Sequence, residues 1–169
     1  MTREAISSIW VPKRIDMENE RTWIVGKILE IGEEKLLDLA REAAKTRPNA
    51  YNPYSDYAVG ASVLCTSGRI YSSCNAEVVS QTETDHAERG AISKAISEGE
   101  EKAWGRRFIR AIAVSHPGKS GPCGGCRQRI AEHADNALVL DVDEEGNIKK
   151  LTSLNILLPY SFNPSHLGI

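Results

Sequence analysis

Apolar residues recur at helical spacing from Glu33 to Arg47, where Leu36, Leu37, Leu39, Ala40, Ala43 and Ala44 form one broad face and Pro48 ends the run. The segments Tyr57–Cys65 and Arg69–Asn75 read as two strands, and Ser67-Gly68 between them has the turn chemistry of a hairpin. A second helix is predicted over about His86–Ser97, with Ala91, Ile92, Ala95 and Ile96 on one face and Gly99 just beyond its end. Phe108–Val114 is almost continuously apolar, which suits a central strand covered on both faces. The glycine- and proline-rich loop His116–Gly121 leads into a third helix over about Cys123–His133. Then come a short apolar strand at Ala137–Val142, a turn at Asp143–Asn147 and a last strand at Ile148–Leu151. Thr152 or Ser153 caps a short helix that Pro159 ends. Residues 1–32 carry Trp10 and the run Trp23-Ile24-Val25 among charges without a clear period, and read as an N-terminal extension. Helices alternating with strands after an opening hairpin predict a three-layer α/β/α sandwich around a mixed sheet of about five strands.

A length of 169 residues suits one domain with its own core. A net charge of -2 removes the bulk attraction that sequence-indifferent nucleic-acid binding uses, so no nucleic-acid partner is expected. No apolar stretch approaches the roughly 18 residues that span a bilayer, and Met1–Trp10 holds no signal-peptide hydrophobic block. The expectation is a cytoplasmic protein with no membrane partner. Cysteines in that compartment seldom form structural disulfides. Cys65 and Cys74, inside strand-like runs, read as small buried hydrophobes, whereas the close pair Cys123 and Cys126 asks for a redox or a metal explanation.

His86, Cys123 and Cys126 make a set of three metal ligands, the number that a catalytic zinc takes while keeping a fourth position open. The two cysteines stand three apart at a helix start, hence on one face, where the helix dipole is expected to lower thiol pKa values. The 37 positions between His86 and Cys123 disfavour a small structural finger. Glu88, two residues after His86, adds a carboxylate to the set. Each residue has a plainer alternative: Asp85 and Glu88 have capping-box spacing, His86 alone suits a cap or a surface position, and the cysteines alone suit a thioredoxin-type pair. Residues two apart on an ideal helix point about 200° apart, so His86 and Glu88 share a site only at the very first turn.

The pattern His86-Ala87-Glu88 followed by Pro122-Cys123-Gly124-Gly125-Cys126 resembles that of zinc nucleobase and nucleoside deaminases. Its company narrows the resemblance to the free-nucleoside cytidine deaminases: Pro53-Tyr54-Ser55-Asp56-Tyr57, Asn75-Ala76-Glu77, Cys126-Arg127-Gln128, and Leu157-Leu158-Pro159 leading to Phe162-Asn163-Pro164. The resemblance runs from about Glu33 to Leu167, which makes 33–169 the catalytic domain. It implies one Zn²⁺ on His86, Cys123 and Cys126, with Glu88 as catalytic acid–base. It further implies Asn75 and Glu77 on the ribose 3′-hydroxyl, Tyr57 lining the nucleoside pocket where Phe is usual, and the Ala87 backbone on the base. Phe162 would pack over the pocket, commonly that of a neighbouring subunit, although Tyr57 and Phe162 also suit core positions. The implied activity is hydrolytic deamination of cytidine or deoxycytidine in pyrimidine salvage by a homo-oligomer, a tetramer before a dimer. A base or tRNA deaminase and a non-catalytic zinc-stabilised domain are the rivals. His86 stands where single-domain members often have cysteine, with Arg89 also present. Val78-Val79 replaces a frequent Asn-Ala, and its apolar side chains suit bulkier 4-substituents.

Overall fold

The computed structural model describes residues 17–118 and 121–168, so the reading of Trp10 lies outside the described residues. Five strands, β1 (Gly60–Cys65), β2 (Ile70–Cys74), β3 (Ile109–Ser115), β4 (Leu138–Val142) and β5 (Ile148–Ser153), form one sheet in the order β2-β1-β3-β4-β5. Only the β3–β4 pair is parallel, which makes the sheet mixed. Helices α1 (Met17–Ile31) and α2 (Glu33–Thr46) lie on one side of the sheet. The other face carries α3 (Ala87–Ser97) and α5 (Gly124–His133). The described residues also include two short α-helices, α4 (Glu100–Trp104) and α6 (Leu154–Leu157). Among the described residues no helix is long and apolar enough to cross a membrane.

The continuous apolar run of β3 is divided between two cores by the period of a strand. Ala111 and Ala113 pack with Leu36, Leu39, Ala40 and Ala43 of α2, while Ile112 and Val114 pack with Ala91 and Ile92 of α3 and Ile130 of α5. The α2 layer sits unusually close to β1. A Cβ on Gly60 would fall 2.1 Å from the Ala43 carbonyl oxygen, so only glycine fits that crossing.

Two expectations about element extents change, and one short helix was not anticipated. The first strand starts at Gly60 and not at Tyr57, because the Asn75 side chain takes over the ladder: Val59 N–H donates to its Oδ1 at 2.7 Å and its Nδ2 donates to the Tyr57 carbonyl at 3.0 Å. Residues 17–31 of the extension form a helix with Trp23, Ile24, Ile28 and Ile31 half buried, while Val25 and Leu29 stay exposed. Such a partial face has no clean period to read. Glu20 on that helix accepts from the Ser153 N–H at 2.7 Å and its hydroxyl at 2.8 Å, fastening α1 to the end of β5. Helix α4 is too short to show a period; its buried Glu100 accepts from Ser67 Oγ, Arg69 Nε and Tyr71 Oη, tying the helix to the β1–β2 hairpin.

Candidate active site

Two helix starts on the same side of the sheet build the site. His86 is the N-cap of α3 in extended conformation, and its side chain makes no capping bond, so the imidazole is free to ligate. Asp85 is held instead in a backbone bridge with Ala76, so the capping box is not formed. The extended backbone at His86 also removes the helical-period conflict, since the cap lies outside the period that Glu88 obeys. Cys123 caps α5 in the same way and Cys126 occupies its third position. His86 Nδ1 lies 3.6 Å from Cys123 Sγ and 3.5 Å from Cys126 Sγ, and the three ligand atoms lie within 4.8 Å of one another.

These spacings fit zinc. A sulfur about 2.3 Å and a nitrogen about 2.05 Å from one ion, at a tetrahedral angle, stand about 3.6 Å apart. The charge balance agrees. Burial first, then the Glu88 carboxylate and Cys123, push the Cys126 thiol well above its ordinary pKa. For Cys126 the shift runs opposite to the lowering expected from the helix start, with desolvation of a residue only 1% exposed as its largest cause. A divalent cation supplies the charge that turns such a thiol into a ligand.

A cavity of about 390 Å³ opens beside the ligands, in the range of small-molecule sites. His86, Cys123, Ala87 and Glu88 line it together with Tyr57, Asn75 and Glu77. Glu88, Asn75 and Glu77 are buried polar residues at 4%, 7% and 4% exposure. Glu77 grips the preceding loop: its Oε2 accepts from the Tyr54 and Ser55 N–H groups at 2.9 and 3.2 Å and its Oε1 from the Ser55 hydroxyl. The Ser55 hydroxyl first, and the two N–H groups after it, hold the Glu77 carboxyl below its ordinary pKa against the opposing effect of burial.

Residues 33–141 match the cytidine and deoxycytidylate deaminase zinc-binding region. The chain belongs to that family. It is 39% identical over 133 residues to a cytidine deaminase of Sporosarcina psychrophila, covering 77% of this chain and 93% of the relative. A cytidine deaminase of Halalkalibacterium halodurans is 41% identical over 134 residues, covering 77% and 96%. Among solved structures, the cytidine deaminase from Burkholderia pseudomallei superposes with a TM-score of 0.66 at 33% identity, covering 74% of this chain and 97% of that one.

In this member of the deaminase family, Phe162 does not reach its own chain's cavity. It is 58% exposed and stacks on His166, with ring centroids 5.5 Å apart, while Gln128 Nε2 donates to its carbonyl. Arg127 braces the α5 start, donating from Nε to the Pro122 carbonyl at 2.6 Å and from Nη1 to that of Leu157 at 3.1 Å. Arg89 lines a second cavity on the ligand cluster, beside Arg129 and Gln128. Val78 and Val79 are exposed, and neither lines the cavity beside Glu88. The polar lining residues that sequence reasoning missed include Ser55, Thr84 and His116. The Thr84 hydroxyl is enclosed and has no hydrogen-bond partner among the described residues. Ser55 belongs to the run Pro53-Tyr54-Ser55-Asp56-Tyr57, which is a local signal; nothing local marks Thr84 or His116.

Proposed function

We propose that the protein is a zinc-dependent hydrolase that converts cytidine or deoxycytidine to the uracil nucleoside and ammonia, with residues 33–169 as its catalytic domain. The observation that carries this reading is the buried carboxylate of Glu88 in one cavity with His86, Cys123, Asn75 and Glu77. Zinc on His86, Cys123 and Cys126 supplies Lewis-acid chemistry, making a water acidic enough to act as nucleophile near neutral pH. Glu88 moves the protons. Its carboxylate takes one from the water and delivers it to N3 of the base, which makes C4 electrophilic toward the hydroxide that is left; it then takes the second proton from the new C4 hydroxyl and passes it to the amine, so that the C4–N bond breaks, C4 becomes a carbonyl and ammonia leaves.

Asn75 and Glu77 bind the sugar with the capacity left after their internal bonds. An ionised carboxylate offers about four acceptor sites, of which three are used in Glu77. The Asn75 amide keeps one N–H and one lone pair. The Ala87 backbone contacts the base and the Tyr57 ring forms a wall. The exposed Phe162 supports a homo-oligomer, a tetramer before a dimer, in which that ring covers a neighbour's pocket and excludes water. Its place is pyrimidine salvage in the cytoplasm, acting on free nucleosides and not on nucleic acid. Turnover of cytidine, cytosine and CMP by the zinc-loaded protein tests the reading. Cytidine and deoxycytidine are the expected substrates; efficient turnover of free cytosine removes the role of Asn75 and Glu77, and no turnover of any leaves a non-catalytic zinc domain.

A further inference from the structure

Tyr57, on the loop before β1, and His116, directly after β3, both line the cavity. The Tyr57 Oη lies 3.3 Å from His116 Nδ1, and the rings are inclined by only 18° with centroids 6.4 Å apart. On the other side of the buried imidazole, Nε2 lies 3.0 Å from Asp141 Oδ1 of β4. That approach is electrostatic and not an aligned hydrogen bond, since Nε2 has no acceptor in bonding geometry among the described residues. An acidic oxygen at this distance still favours the tautomer with hydrogen on Nε2. Nδ1 is then the acceptor and the Tyr57 hydroxyl the donor.

Gly118 closes around the same hydroxyl. A Cβ on it would stand 2.7 Å from Tyr57 Oη and 3.6 Å from His116 Nδ1, so a side chain at 118 and a hydroxyl at 57 compete for one space. The loop that carries His116 and Gly118 runs on to Gly121, which lines the cavity, and to the ligand Cys123.

We propose that Tyr57, His116 and Gly118 form a latch that fastens the cavity wall to the loop leading to Cys123, and that His116 and Gly118 are thereby positioning residues for nucleoside binding. The proposal rests on the deaminase reading for its substrate. The latch shapes walls that touch the nucleoside in ground and transition state alike, so it sets KM more than kcat. Zinc loading is independent of it, because Arg127 separately holds the α5 start through the Pro122 carbonyl.

The test is a double-mutant cycle of Tyr57→Phe and Gly118→Ala, with His116→Gln beside it, read as KM and kcat for cytidine, zinc content and Tm. Tyr57→Phe and His116→Gln each raise KM about fivefold, the worth of one net hydrogen bond. Gly118→Ala raises KM about tenfold and lowers Tm in the Tyr57 background, as overpacking does. It does neither in the Tyr57→Phe background, where the competing hydroxyl is gone. Equal factors from Gly118→Ala in both backgrounds, or unchanged KM in all variants of an active enzyme, overturn the latch. If the wild type does not turn over cytidine, the functional reading fails and the Tm cycle decides the latch: non-additive shifts support it and additive shifts refute it.

Discussion

Asn75→Ala tests a residue with two duties, one in the fold and one toward the sugar. In the protein its side chain accepts from Val59 N–H at 2.7 Å and donates to the Tyr57 carbonyl at 3.0 Å, replacing the sheet ladder just before Gly60. Truncation leaves a part-buried N–H and a part-buried carbonyl without these partners. Each unmade bond of this kind costs about 1–3 kcal/mol, and partial access to water keeps both near the lower end, so the expected loss is about 2–3 kcal/mol. For a chain of this size each kcal/mol moves Tm by about 2–4 °C, giving a fall of about 4–12 °C in scanning calorimetry. The loop that releases carries Tyr57, so nucleoside affinity falls as well. KM for cytidine, followed by ultraviolet absorbance, rises at least tenfold, beyond what the lost sugar contact alone contributes at about one hydrogen bond. Asn75→Asp keeps the acceptor for Val59 N–H and loses the donor to Tyr57, so its Tm falls by less. A Tm of Asn75→Ala within about 1 °C of wild type would refute the claim that this side chain stands in for the ladder.

Glu88→Gln keeps zinc and fold but loses about 10²–10⁴-fold in kcat, whereas Cys123→Ala loses the metal; metal analysis beside kinetics separates them, and near-normal turnover of Glu88→Gln removes its proton-carrying role. Glu77 is held below its ordinary pKa by Ser55 and two N–H groups, so its grip on the Tyr54–Ser55 loop is full above the unfolded carboxylate range and is lost as pH falls through the depressed value; Tm measured against pH declines less steeply on the acid side in Glu77→Gln, and parallel curves reject this. Phe162→Ala and Glu88→Gln chains, each inactive alone, recover activity when mixed if a neighbour's ring completes the pocket, and sedimentation shows the oligomer; a fully active monomer excludes the shared site.

The sequence by itself carried the elements whose local chemistry is self-sufficient. Leu36, Leu39, Ala40 and Ala43 announce a buried helix face, the unbroken apolar run of β3 announces a strand with two covered faces, and Ser153 announces the cap it provides by accepting from Ile156 N–H at 3.3 Å. His86, Cys123 and Cys126 were readable as a candidate ligand set because zinc demands those donor types, and the fold brings their ligand atoms within 4.8 Å of one another. What the tertiary structure decided are matters of burial and meeting across the chain. Desolvation raises the Cys126 thiol where the helix start alone would lower it. Asn75 trims a strand by bonding backbone 16 and 18 positions away. His116 acquires its setting from Tyr57 on one side and Asp141 on the other. No period or motif announces these effects, even where the residue itself lies in one, because the partner or burial that gives each residue its character is remote in sequence and adjacent only once the sheet has paired.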